Sequence, residues 1–203
     1  MAIREIIHLW DKEEINEESL KILRNPCSEV IFPLDKETKQ EVNDLIDTFL
    51  SDEHAVGLAA PQIGIRKCFF VFDPKYRASE EASQKKTRET VIVVVNPKTV
   101  PSRNDLTWLR AEKEEDLTWN SEGCLSLPGI LTQVPRLNEI KLKGFDINGN
   151  RFSKKFEDHP ARIVQHEMDH LLGRVIIDYG QEVYTEESEV SIFSRLIGKI
   201  RGK

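Results

Sequence analysis

Residues 160–173 read PARIVQHEMDHLLG. Pro160 suits a first helical position and Gly173 the residue just past a helix end, so the stretch predicts one helix of about a dozen residues. On it Ala161, Val164, Met168 and Leu171 form one apolar stripe, and Ile163, His166, Glu167 and His170 form a neighbouring one. With protein facing both stripes, the helix belongs at the centre of the fold. His166 and His170 lie four apart and project from successive turns on one side, close enough to share a metal ion. Glu167, one position round, can touch a metal-bound water without ligating. The competing reading is a pair of core histidines satisfied by hydrogen bonds. With 5 histidines in the chain, the H-E-x-x-H spacing is uncommon by chance, and the metal reading is preferred.

On the N-terminal side of that helix, residues 140–145 (IKLKGF) alternate apolar and polar. They lead through Asn148, Gly149 and Asn150 into a similar strand, RFSKKF, and the two predict a hairpin. CFFVFD (68–73) and VIVVVN (91–96) read as buried strands. The polar insert between them, YRASEEASQKKTRET (76–90), reads as a mobile loop. Asp35 precedes a helical pattern with Val42, Leu45, Ile46, Phe49 and Leu50 on one face, and the loop segment HAVGLAAPQIG (54–64) follows. Arg110 to Asp116 reads as a solvated charged face. Val190, Ile192, Phe193, Leu196 and Ile197 fit an amphipathic C-terminal helix. Short strands joined by hairpins around few helices imply an α+β fold. Antiparallel sheets would pack around the central helix carrying HEMDH, with an N-terminal and a C-terminal helix beside them.

The 203 residues fit one domain with a single sizeable core. A hydrophobic fraction of 39% and a charged fraction of 32% are those of a globular protein in water. The start, MAIREIIHLWDKEE, turns acidic before an apolar run develops, which predicts no signal peptide. No apolar run is long enough to span a bilayer, so no membrane partner is expected. Cys27, Cys68 and Cys124 are widely spaced and odd in number, which argues for a reducing, cytoplasmic setting over a disulfide framework. A net charge of −6 excludes general nucleic-acid binding, which needs clustered Lys and Arg.

A catalytic site of this kind needs a third protein ligand and an open position for water. No histidine follows His170, so a third imidazole downstream is ruled out. A downstream glutamate, Glu182, Glu186, Glu187 or Glu189, would make a metallo-endopeptidase. The upstream candidate is Cys124 in EGCLSLPG, whose thiolate is a strong ligand for zinc or ferrous iron. Alone, a cysteine is more often a small buried hydrophobe. Here Glu122, Gly123 and the extended LSLP around it suit a thiolate held at a sheet edge.

GLAAPQIG, EGCLS and QHEMDH, in this order and spacing, resemble the three motifs of peptide deformylases, most strongly over residues 55–178. The resemblance implies one catalytic domain over 1–203, with that stretch as its core. It implies that Cys124, His166 and His170 bind one divalent metal, Fe2+ by family habit, with Zn2+, Ni2+ or Co2+ also accepted. The implied substrate is the N-formylmethionine end of a newly made polypeptide. Metal-activated water would attack the formyl carbon, with Glu167 as general acid and base. Gln62 and the backbone N–H of Leu125 would meet the oxyanion. Val56, Gly57, Gly123 and Ile163 would contact substrate. Glu122 would orient a ligand histidine, and Asp169 needs a cationic partner, Arg136 or Arg162. The sequence departs from the family pattern at Ala55, where the motif has glycine, and in the first seventeen or so residues. The insert at 76–90 is longer than in compact members, and neither it nor the N-terminal departure overlaps the motifs. From Phe193 onward Arg195, Lys199, Arg201 and Lys203 stand without an acid, so the tail (about 190–203) is a candidate ribosome contact.

Overall fold

The structure is a computed structural model that describes residues 2–11, 14–75, 85–101, 106–107, 121–178, 183–185 and 198. A short hairpin, β1 (Trp10–Asp11) with β2 (Glu14–Ile15), leads into α1 (Glu17–Leu23) and α2 (Lys36–Ser51). Asn16 caps α1 by accepting from the amides of Glu18 and Ser19, and Asp35 caps α2 by accepting from Thr38, 2.7 Å away. Next come β3 (Gly57–Ala59), a 3-10 turn (Ala60–Ile63), β4 (Phe69–Phe72) and β5 (Ile92–Pro101). They are followed by β6 (Leu106–Thr107), β7 (Glu122–Cys124), β8 (Leu127–Thr132) and β9 (Arg136–Leu137). The hairpin β10 (Glu139–Phe145) and β11 (Arg151–Glu157) runs into α3 (Asp158–Leu171), and β12 (Val183–Thr185) follows.

Among the described residues the strands form an antiparallel five-stranded sheet in the order β11-β10-β5-β4-β3. A three-stranded sheet, β12-β8-β7, lies apart from it, with β1-β2 and β6-β9 as small ribbons. The all-apolar run FFVF of β4 is explained by what lies on each side of it. Phe69 and Val71 pack with Val42, Leu45 and Phe49 of α2, whereas Phe70 and Phe72 pack with Ala161, Val164 and Leu171 of α3. A strand covered on both faces cannot alternate apolar with polar. Strands β10 and β11, farther from α2, keep polar outer positions such as Lys141, Lys143 and Lys155. The fold is α+β, with α3 against one face of the larger sheet and α2 against the other.

Two boundaries differ from expectation. β5 continues past Asn96 to Pro101, because Asn96 takes a left-handed φ of 48° and its side chain exchanges two 2.8 Å hydrogen bonds with the Val30 backbone. The strand expected over 91–96 thus runs five residues further, with the chain bending at Asn96. α3 starts at Asp158, so Pro160 is its third residue rather than its first. Proline is tolerated there because first-turn amides have no intrahelical acceptor. The helix does end where expected, with Gly173 at φ 72°, and a Cβ there would stand 2.5 Å from the Arg24 carbonyl oxygen.

The expected mobile loop needs correction over the part that is described. Residues 76–84 lie outside the described set, but Lys86 is a core residue, 8% exposed. The charged stretch at 110–116 and the C-terminal helix at 190–198 also lie outside the described residues, Gly198 apart. Among the described residues no helix is long and apolar enough to cross a membrane.

Candidate metal centre

α3 and the edge strand β7 together build the site. His166 and His170 leave α3 on one side, their ring centroids 5.1 Å apart and their planes at 71°. Cys124 ends β7, and its Sγ lies 3.2 Å from His170 Nε2. One donor atom from each of Cys124, His166 and His170 can be chosen so that all three lie within 4.8 Å of one another. A thiol and two imidazoles so gathered suit a tetrahedral cation with one position left over.

Glu122 stands two residues before Cys124, so its side chain leaves β7 on the same face as the thiol. Its Oε2 accepts from His166 Nδ1 at 3.1 Å, which leaves Nε2 of that ring for a metal. Arg136 grips Glu122 with two parallel bonds, Nε to Oε1 at 2.8 Å and Nη2 to Oε2 at 2.7 Å, and its third nitrogen reaches Asp169. Burial alone would raise the Glu122 carboxyl, but the Arg136 bonds and charge, then His166, outweigh it and hold the pKa down at about 2. Asp169 keeps a raised pKa, because burial outweighs Arg136 there. Of its two proposed partners Arg136 is the one at hand.

Glu167 is 2% exposed, and its Oε2 has no hydrogen-bond partner. Burial, opposed by His166 and Arg136, pushes its carboxyl up to about 7. A buried carboxylate oxygen without a partner is costly, and beside three potential ligands it marks where a polar atom belongs. Burial also drives the His170 pKa well down, with the charges of His166 and Arg136 adding to it, so its ring is neutral as a metal ligand requires.

Gln62 lies in the 3-10 turn, 2% exposed. Its Oε1 accepts from the Ala59 amide at 2.9 Å, which turns the NH₂ end toward Ser126 Oγ at 3.4 Å and Cys124 Sγ at 3.7 Å. The backbone donor thus fixes which end of the amide faces the thiol. Leu125 follows Cys124 directly, half-buried against the α2 cluster. Gly123 faces the other side of β7, where a Cβ would meet Leu131 Cδ2 at 3.3 Å. Gly57 has a sharper constraint: a Cβ would stand 2.4 Å from Glu167 Oε1 and 2.9 Å from Ile163 Cγ2. Gly57→Ala is therefore expected to displace Glu167 and cut kcat/KM roughly 100-fold with the fold retained, as misplacement by about an ångström does. Steady-state kinetics beside circular dichroism checks this. Val56 is half-buried near Ile163 in the α3 cluster.

Residues 12–186 of the chain match the polypeptide deformylase family model. The chain belongs to that family. A peptide deformylase of Rickettsia conorii is 34% identical over 167 residues, covering 82% of this chain and 78% of that one. One from Clostridium perfringens is 37% identical over 159 residues, covering 78% and 91%. The solved peptide deformylase of Thermotoga maritima superposes with a TM-score of 0.67 at 27% identity, covering 90% of this chain and all (100%) of that one. That of Legionella pneumophila gives 0.66 at 28%, covering 99% and 96%. Family membership makes the chain a metal-dependent hydrolase that removes the formyl group from nascent peptides. It also decides against the endopeptidase reading, whose Glu182, Glu186, Glu187 and Glu189 lie outside the described residues.

The family's departures look different in three dimensions. Among described residues other than glycine, Asn96 and Asp158 have positive φ, so Ala55 needs no glycine backbone, and its methyl is buried in the α2 cluster. The unusual N-terminus reaches the motifs after all. The Ile7 amide donates to the Gln62 carbonyl at 2.8 Å and the Leu9 amide to that of Ser126 at 2.9 Å. Ser126 and this N-terminal strap were not singled out in the sequence. The apolar IIHLW at 6–10 was the available signal, and it was read only for targeting.

Proposed function

We propose that Cys124, His166 and His170 hold one divalent cation, ferrous iron in the cell, and that Glu167 carries the proton during hydrolysis of the formyl amide. The observation that carries this reading is the convergence of a thiol and two imidazoles beside the unpartnered Oε2 of buried Glu167. When bound, the cation would activate water and polarise the formyl oxygen. Glu167 would take the proton from the attacking water and deliver it to the leaving amine, a role matched by a carboxyl pushed up to about 7. The NH₂ of Gln62 and the backbone N–H of Leu125 would donate to the oxyanion. Arg136, through Glu122, would hold the His166 ring in one tautomer, and Asp169 would complete that grip.

β3 is the edge of the five-stranded sheet, so its outer backbone would take the substrate as an added strand, with Gly57 as the contact. Val56 and Ile163 would line the methionine pocket, and Gly123 would lie against the chain that follows. The Acinetobacter baumannii relative has been solved with Met-Ala-Ser bound, at 25% identity and a TM-score of 0.67. That makes formyl-Met-Ala-Ser the substrate to test. Protein purified under argon should contain about one iron per chain and release formate from this peptide, as metal analysis and a formate assay would read. Active protein free of metal, or a metal-loaded protein that leaves the formyl group in place, would overturn the proposal. The chain is taken as one catalytic domain. The tail from Phe193, outside the described residues, stays a candidate ribosome contact on its charge alone.

A further inference from the structure

A lysine from a polar insert is an unexpected member of a core, and Lys86 is 8% exposed. Its Nζ donates to the carbonyls of Phe49 at 3.0 Å, of Ala55 at 2.8 Å, and of Asp52. The same nitrogen lies 4.3 Å from the centroid of the Phe49 ring. Phe49 belongs to the last turn of α2, so the ammonium sits where helix carbonyls lack amide partners and carry partial negative charge. Burial lowers its pKa to about 8, against the opposing charges of Asp52, Asp73 and Glu53.

What the lysine holds is the chain that feeds the site. Asp52 Oδ1 accepts from the His54 and Ala55 amides at 2.8 and 3.2 Å, so Asp52 secures the N–H of Ala55 while Lys86 secures its carbonyl. The next residue, Val56, accepts from the Asp73 amide at 3.2 Å, and Gly57 then passes against Glu167 with no room for a methyl. Residues 52–55 thus carry the path from α2 to β3, and the insert anchors that path from outside.

We propose that Lys86 is a positioning residue for the peptide substrate: by gathering the carbonyls of Phe49, Asp52 and Ala55 it fixes the start of β3 in register to pair with residues downstream of formylmethionine. This rests on the reading of β3 as the edge that takes the substrate strand. Lys86 touches no reacting atom, so its removal should act on binding of longer substrates rather than on chemistry.

The test uses the metal-loaded full chain and two substrates, formyl-Met-Ala-Ser and formylmethionine amide, which lacks downstream residues. Lys86→Met keeps the aliphatic stem and removes the donors. It should raise KM for the tripeptide roughly tenfold while leaving kcat within about twofold. KM for the amide should move less than about twofold, and metal content should not change. Lys86→Arg, which keeps charge and donors, should recover part of the tripeptide KM. An unchanged tripeptide KM, or an equal loss of kcat/KM on both substrates, would overturn the proposal. If Lys86→Met fails to fold, Lys86→Gln takes the same comparison with the same deciding outcomes. Wild-type protein inert on both peptides would instead count against the activity itself.

Discussion

Glu167→Ala is expected to keep its metal and lose turnover by at least roughly 10²–10⁴-fold, the usual contribution of a positioned acid–base group. The ligand atoms come from Cys124, His166 and His170, so removing the neighbouring carboxylate leaves the donor set intact. Stability should not fall and should rise slightly, because Glu167 is buried with one oxygen unpartnered and a carboxyl pushed up by burial. A truncation that relieves an unsatisfied group while abolishing catalysis is the behaviour of a site group rather than a core group. Alanine also opens space beside Gly57, whose missing side chain leaves room for the carboxylate. Glu167→Gln serves as the matched control, preserving shape while removing the proton carrier. Metal analysis, thermal unfolding and formate release from formyl-Met-Ala-Ser on both variants give the reading. Near-normal rates in either one would show that Glu167 does not carry the proton.

The sequence told most about residues whose role is local. The two histidines, Glu167 and the stripe Ala161, Val164 and Leu171 follow from helical spacing alone, and α3 has them as that spacing requires. FFVF and the IKLKGF–RFSKKF hairpin were legible because each strand's burial is written in its own residues, as an unbroken apolar run in the first and as alternation in the hairpin. The pairing of Cys124 with His170 was not legible from spacing, because 46 residues separate them and only the motif resemblance joined them. Glu122 was expected at a ligand histidine and Arg136 or Arg162 at Asp169, but the Arg136–Glu122 bonds were not foreseen, since nothing in a sequence fixes which arginine meets which acid. Lys86 was missed for a physical reason. A charged residue in a run of polar ones reads as solvated, and its burial depends on three backbone carbonyls supplied by a helix end and a loop some thirty residues earlier. The same holds for Ile7 and Leu9, whose amides donate to the backbone carbonyls of Gln62 and Ser126. Backbone partners carry no side-chain signature.

Cys124→Ser and Glu182→Ala are expected to behave oppositely. The alcohol of serine is a far poorer metal ligand than a thiolate, so Cys124→Ser should lose most of its metal and at least roughly 100-fold in activity. Glu182→Ala should keep both, because three donors are already supplied by Cys124, His166 and His170. The structural cost of the serine should be small, since the side chain is nearly isosteric at the end of edge strand β7. Cys27→Ser and Cys68→Ser provide the control for general thiol loss. Those two cysteines neighbour one another, the Cys68 thiol donating to the Cys27 carbonyl at 3.2 Å, and neither belongs to the metal-ligand group. Both should retain full metal. The measurements are metal per chain after dialysis against a weak chelator and formate release from formyl-Met-Ala-Ser. Full metal in Cys124→Ser together with loss in Glu182→Ala would move the third ligand to the C-terminal acids. Loss in all the cysteine variants alike would mean that oxidation or misfolding, rather than ligation, had been measured. The serine variant should also discriminate among ions: losing the one soft donor leaves two imidazoles, which still hold zinc or nickel in excess but retain ferrous iron poorly. Reloading with each ion in turn, and finding iron the slowest to restore formate release, would tie the thiolate to retention of the metal proposed for the cell.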